Sequence, residues 1–198
     1  MAIRSLKNNT FSRSLLVGNA RFVPTSFEKI ATVTVGSGGQ ANVEFTSIPS
    51  GFVHLQIRGI GRSADAVNTG DSIRIRLNAD TGSNYSTHAL GGDGSVAYVA
   101  QAAASQTSGY GTAIPRNGQT ASSFGGTVID ILDYTNTNKY KTIRNLGGSD
   151  VNGGGNIIFG STAWLSTNAV TSITLYPATA TNWTQYSHFA LYGIKGVA

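Results

Sequence analysis

The chain has 198 residues with 14 Lys plus Arg against 9 Asp plus Glu, a formal charge of +5, 12% charged residues, 25 glycines and no cysteine. Lack of cysteine excludes disulfides, thiolate metal sites and cysteine nucleophiles. A charged fraction well under the roughly 25% of an average soluble protein disfavours long solvated helices and favours short strands joined by Ser, Thr, Asn and Gly turns.

The length suits one core with an appendage, and the pattern divides the chain into an extended arm over 1–24 and a β-domain over 25–198. Arg4, Lys7, Arg13 and Arg21 precede the first acid, Glu28, so almost all the net charge sits at the start. Leu6, Phe11, Leu15 and Leu16 lie between these cations, which points to an arm that docks on protein rather than on nucleic acid. The only apolar run in the first twenty residues is Leu15-Leu16-Val17, far short of the about 20 residues of a membrane span and without a signal-peptide pattern. The expected location is therefore cytoplasmic, with no membrane partner.

From Phe27 onward, short alternating apolar runs are bounded by Gly, Asn, Pro and Asp. Ala31, Val33 and Val35 share one face before the Gly36–Gly39 turn, and Val43 and Phe45 follow as the second arm of a hairpin. Leu55 and Ile57, then Ile73, Ile75 and Leu77, alternate with polar residues at period 2, the mark of a sheet with one buried face. Further strands are predicted near 85–90, 96–100, 127–134, 140–145, 157–159, 170–176 and 186–194. Ten or eleven strands without a helical period predict an all-β antiparallel two-sheet sandwich, jelly-roll-like. Residues 101–123, rich in Ala, Ser, Gly and Thr, read as a projecting loop that carries an outer-surface contact, with Tyr110 as its candidate. The last strand carries apolar residues at both parities and is predicted to be internal and covered on both sides.

No catalytic, cofactor or metal site is predicted. His54, His88 and His188 lie in no metal-ligand spacing. Asp71, Asp80, Asp93 and Asp150 stand at presumed turns, where such side chains bond nearby amides. Asp130 and Asp133 flank an apolar run and are expected to pair with Arg144 or Lys141. The clusters Gly91–Gly94 and Gly153–Gly155 lack the Lys-Ser/Thr of a phosphate cradle and read as loops. Tyr98, Trp164 and Trp183 are expected mainly in the core, with a sugar-stacking surface as the other reading.

Six segments in order, Phe45-Thr-Ser-Ile-Pro-Ser50, Leu55-Gln-Ile-Arg58, 77–86, Ile131-Leu-Asp-Tyr134, Thr171-Ser-Ile-Thr-Leu175 and the closing 185–195, resemble a family of small virion structural proteins of tailed bacteriophages, marine and cyanobacterial phages especially. The openings Ile3-Arg-Ser-Leu-Lys7 and 11–18 are similar to the starts of short, free-standing members. The resemblance implies a non-enzymatic virion component assembled in the host cytoplasm, whose partners are capsid or tail subunits. The leading expectation is a capsid decoration or cement protein anchored through the arm. The alternative is a tail-fibre or adhesin-type domain that binds a host surface glycan. A homo-oligomer is expected, with a trimer suggested by virion symmetry in general.

Overall fold

The computed structural model describes residues 26–179 and 181–196. The predicted arm, with Arg4, Leu6, Lys7, Phe11, Arg13, Leu15 and Leu16, lies outside the described residues. Among the described residues the strands are β1 (Phe27–Thr34), β2 (Val43–Phe45), β3 (His54–Gly61), β4 (Asp71–Leu77), β5 (Tyr85–Gly92), β6 (Ala97–Gln106), β7 (Gly109–Ile114), β8 (Gly125–Leu132), β9 (Lys141–Asp150), β10 (Gly155–Trp164), β11 (Ile173–Pro177) and β12 (His188–Ile194). A broad sheet has the order β1-β12-β3-β8-β9-β10-β5-β6, and a narrow sheet has the order β2-β11-β4-β7. Every strand pairing is antiparallel.

If the hairpins β5-β6 and β9-β10 are set aside, the two sheets read β1-β12-β3-β8 and β2-β11-β4-β7. Successive strands then alternate between sheets except at β4-β7, which is the jelly-roll arrangement. Both hairpins extend the same sheet, so one layer is twice as broad as the other.

The period-2 pattern decides which side chains enter the core. Ile73, Ile75 and Leu77 of β4 are fully buried while Ser72, Arg74 and Arg76 turn outward. Leu55 and Ile57 of β3, Ile129 and Ile131 of β8, and Ile173 and Leu175 of β11 meet them from both sheets. Each such aliphatic side chain contributes about 1.5–3 kcal/mol by leaving water. Trp183 closes one end of the core against Phe189, edge to face at 4.8 Å. Tyr85 and Trp164 stack at 6.5 Å at the other. The Tyr85 hydroxyl accepts the Leu77 N–H at 2.9 Å, and burial pushes its pKa up to about 12.

Among the described residues, two cations are buried without a carboxylate partner and are held by carbonyls instead. Arg62 donates to Gln119 O, Thr120 O and Ser123 O at 2.7–2.9 Å and so ties down the segment before β8. Lys141 donates its Nζ to the carbonyls of Asn136, Lys139 and Thr167. Burial lowers the pKa of both groups.

Residues 101–123 do not form a projecting loop. They contain most of β6 and all of β7, and every residue of β7 is buried. The scarcity of bulk that suggested a loop is what lets β7 pack closely beside β4 at the end of the narrow sheet: a Cβ on Gly109 would lie 2.8 Å from Ile75 Cγ2, and one on Gly111 would lie 2.9 Å from Ile73 Cβ. The closing strand β12 is internal, between β1 and β3, with Phe189 and Leu191 in the core. On its other side Ala190 is buried, and the described residues leave His188, Tyr192 and Ile194 half-buried. Opposite strand ends, the pairing expected of Asp130 and Asp133 also differs. Asp130 accepts from Gln56 at 2.7 Å, and Asp133 pairs with Lys139.

Asp80 organises the turn after β4. Its carboxylate accepts from the Trp164 indole at 2.6 Å, the Asn84 amide at 2.9 Å and the Gly82 N–H at 2.8 Å. Burial alone would raise its pKa, but these three donors hold it below the usual carboxylate range. A folded-state pKa below the unfolded one gives stability that is present above the unfolded pKa, about 3.9, and is lost as pH falls through the folded value. The difference in unfolding free energy between the wild-type chain and Asp80→Asn should therefore shrink as the pH is lowered below about 4 in denaturant titrations. An undiminished difference at low pH would show that the carboxylate charge contributes nothing.

Candidate functional site

Sequence reasoning pointed to Tyr110, but its ring is 8% exposed on β7 and lies beneath the Arg74 guanidinium, which sits 5.3 Å from the ring centroid. It is therefore not available as an outer-surface contact: β7 is an interior strand, and the arginine on the neighbouring strand covers the ring. Trp164 and Trp183 are in the core, and Tyr98 lies over Gly91 with its ring against the position a Cβ would take.

Several titratable groups are engaged within the fold. The backbone N–H of Asp133 donates to His54 Nδ1 at 2.9 Å, which makes the imidazole an acceptor there. Lys139 holds Asp133 below the usual carboxylate range, helped by His54 and Lys141. Asp71 accepts from Thr179 and from the Ser72 N–H, and Asp65 pairs with Arg116 at 2.9 Å. Among the described residues no three of His, Asp and Glu are grouped as a metal site would need.

The unspent surface is apolar, on the outer face of the broad sheet. Strand register places Arg58, Val128, Leu146, Phe159, Leu90 and Val99 in one continuous row across β3, β8, β9, β10, β5 and β6. Leu146 is 52% exposed, Phe159 47%, Leu90 57% and Val99 76%. Neighbouring strands stand about 4.8 Å apart, so the ridge from Val128 to Val99 is about 19 Å long.

Beside this ridge runs a second row, Ile60, Gly126, Gly148, Ile157 and Gly92. Its glycines make it a trough, with adjoining hollows of about 580 and 710 Å³ that share Gly126, Leu146 and Gly147. The glycines differ in cause. A Cβ on Gly148 would lie 2.0 Å from Asn156 O, so the backbone of the adjacent strand leaves no room for a side chain there. A Cβ on Gly126 would meet nothing within 4 Å.

On the far side of the ridge lies a polar row. Arg58 donates to Gln56, and Gln56 to Asp130, both at 2.7 Å, while Arg144 beside Asp130 has no side-chain partner among the described residues. Beyond the trough stand two carboxylates: Asp93 is held below its usual range by the backbone N–H groups of Val96 and Ser95, and Asp150 accepts only the Asn152 N–H, at 2.8 Å.

Sequence reasoning missed this face. The available signal was Ile157-Ile158-Phe159 in β10, apolar at both parities where one buried face needs only Ile158.

No protein-family model and no curated protein matches the chain. Among solved structures it is compared with the CBM2 module of the evolved Dit of Lactobacillus casei BL23 phage J-1, at 12% identity, a TM-score of 0.25, and coverage of 84% of this chain and 70% of that one. A likeness this distant supports no argument about fold or function.

The trough geometry predicts an asymmetry between its glycines. Gly126→Ala should leave stability within about 0.5 kcal/mol or raise it slightly by restricting the unfolded chain. Gly148→Ala should cost about 1–3 kcal/mol through forced backbone displacement. Thermal or urea denaturation of the two variants checks this, and equal costs would contradict the floor described here.

Proposed function

We propose that this chain is a structural component of a tailed-phage particle that works in the assembled state, as a capsid decoration protein attached by its N-terminal arm. The observation that carries the reading is the open apolar face. Leu146, Phe159, Leu90 and Val99 of the ridge together with Ile60 and Ile157, exposed by 45–76%, present roughly 600 Å² of apolar surface. That is at the upper end of about 300–600 Å² for the largest patch on an ordinary monomer, and larger or comparable patches mark interaction surfaces.

The resemblance of six ordered segments to phage virion proteins supplies the setting. The chemistry of the ridge favours protein over glycan as its partner, since Phe159 is its one aromatic ring, and of the stacked Phe27–Tyr192 pair on the same face the Phe27 ring is engaged by the Arg58 guanidinium at 5.4 Å, while sugar-stacking surfaces rely on open aromatic faces. The spending of carboxylates on turns and ion pairs supports a non-enzymatic role. The arm, with Arg4, Lys7 and Arg13 among Leu6, Phe11, Leu15 and Leu16, would supply attachment to the particle.

Deletion of residues 1–24 should leave a folded domain that fails to join particles, as measured by the copy number of the chain in purified virions. Full-length protein should be present in hundreds of copies. Normal incorporation of the truncated chain would contradict arm anchoring, and a dozen or two copies would contradict decoration in favour of the tail-fibre reading.

A further inference from the structure

We propose that the open face of the broad sheet is a two-fold interface between two copies of this chain, with the ridge of each seated in the glycine trough of the other. The proposal rests on the reading of this face as an assembly surface, and goes further by naming the partner.

The arrangement of residues along single strands carries it. Each of three ridge residues stands two positions from a trough glycine on its own strand: Val128 from Gly126 on β8, Leu146 from Gly148 on β9, and Leu90 from Gly92 on β5. A two-fold axis lying in the interface, parallel to the two rows and midway between them, exchanges ridge and trough. It sets the partner's Val128 over Gly126, its Leu146 over Gly148 and its Leu90 over Gly92. On β10, where the trough is interrupted by Ile157, the partner's Phe159 meets that side chain, and the reciprocal contact repeats it. Such self-complementarity, in which residue i meets j and j meets i, is the requirement of an isologous interface. Adjacent rows on one face of a sheet always stand two residues apart; what this chain adds is bulk in one row and glycine in the next on three strands, the complement that a two-fold axis exchanges.

The same axis pairs the charges. On β9 it passes beside Gly147, midway between Leu146 and Gly148, so a residue three positions before Gly147 meets one three positions after it. Those residues are Arg144, exposed and without a side-chain partner among the described residues, and Asp150, exposed with only a backbone donor. Two symmetric Arg144–Asp150 pairs would flank the apolar centre, an arrangement in which rim charges set register and specificity. The area fits as well. Roughly 600 Å² of ridge and trough residues, with the polar row beside them, approaches the about 800 Å² per partner of a standard stable interface.

The test uses the full chain purified alone, so its outcome is independent of whether the protein joins a particle. Sedimentation velocity from about 1 to 100 µM should show a dimer, the range in which an interface of this size is populated. Gly126→Lys, whose Cβ would meet nothing within 4 Å and whose chain starts in the open trough, should be monomeric at an unchanged melting temperature. Arg144→Asp should weaken dimerisation by about tenfold or more through like-charge contact with the partner's Asp150. Combining it with Asp150→Arg should restore the wild-type affinity, and this charge exchange keeps the test decisive even if Gly126→Lys does not fold. A wild-type chain that remains monomeric, an oligomer that survives Gly126→Lys, or a charge exchange without rescue would each overturn the proposal.

Discussion

The two sheets are unequal in width, and the rest of the molecule depends on how that inequality is met. The narrow sheet of β2, β11, β4 and β7 covers β1, β12, β3 and β8 as in any jelly roll, through Ile73, Ile75, Ile173 and Leu175 against Leu55, Ile57, Ile129 and Ile131. The extra strands β9, β10, β5 and β6 reach beyond that cover. Their inner face is served by β7, which can lie close because Gly109 and Gly111 carry no side chains, and by a small second cluster of Ala89, Tyr110, Ala113 and Ile158. Interior packing thus takes up one parity of β10 and β5. The other parity points away from both sheets, and there the chain has placed Ile157, Phe159 and Leu90 rather than Ser or Thr.

The structure of the open face follows from local backbone constraints as much as from side chains. Gly148 is required by the neighbouring Asn156 carbonyl, and the trough at β9 is the consequence. Gly126 meets no such constraint. An unforced glycine in the middle of a strand costs about 0.5–1 kcal/mol of conformational entropy relative to alanine.

How much of this was legible in the sequence depended on whether one parity or both carried apolar residues. β3 and β4, with Leu55-Ile57 and Ile73-Ile75-Leu77 against polar neighbours, declared both their existence and their buried faces. The sandwich class and the internal position of β12 followed from the same rule. β7 did not, because Gly-Tyr-Gly-Thr-Ala-Ile carries little bulk and periodicity weighs bulk; close approach of backbones is a tertiary fact that small residues permit without announcing. Tyr110 was misread for the same reason, its surroundings taken for a loop when they are a strand buried along its whole length. The open face escaped notice because its residues are spread over six strands and become neighbours only through register, which no single segment records.

The reading of the face as an assembly surface is tested most directly by carbene photolabelling of side chains in intact particles that carry the chain, compared with the same chain unfolded in denaturant. Leu90, Leu146 and Phe159 should be protected in the particle to the level of core residues such as Ile158. Labelling of those three at the level of a freely exposed side chain such as Tyr186 would mean that the face stays open to water in the assembled state, and would contradict the account.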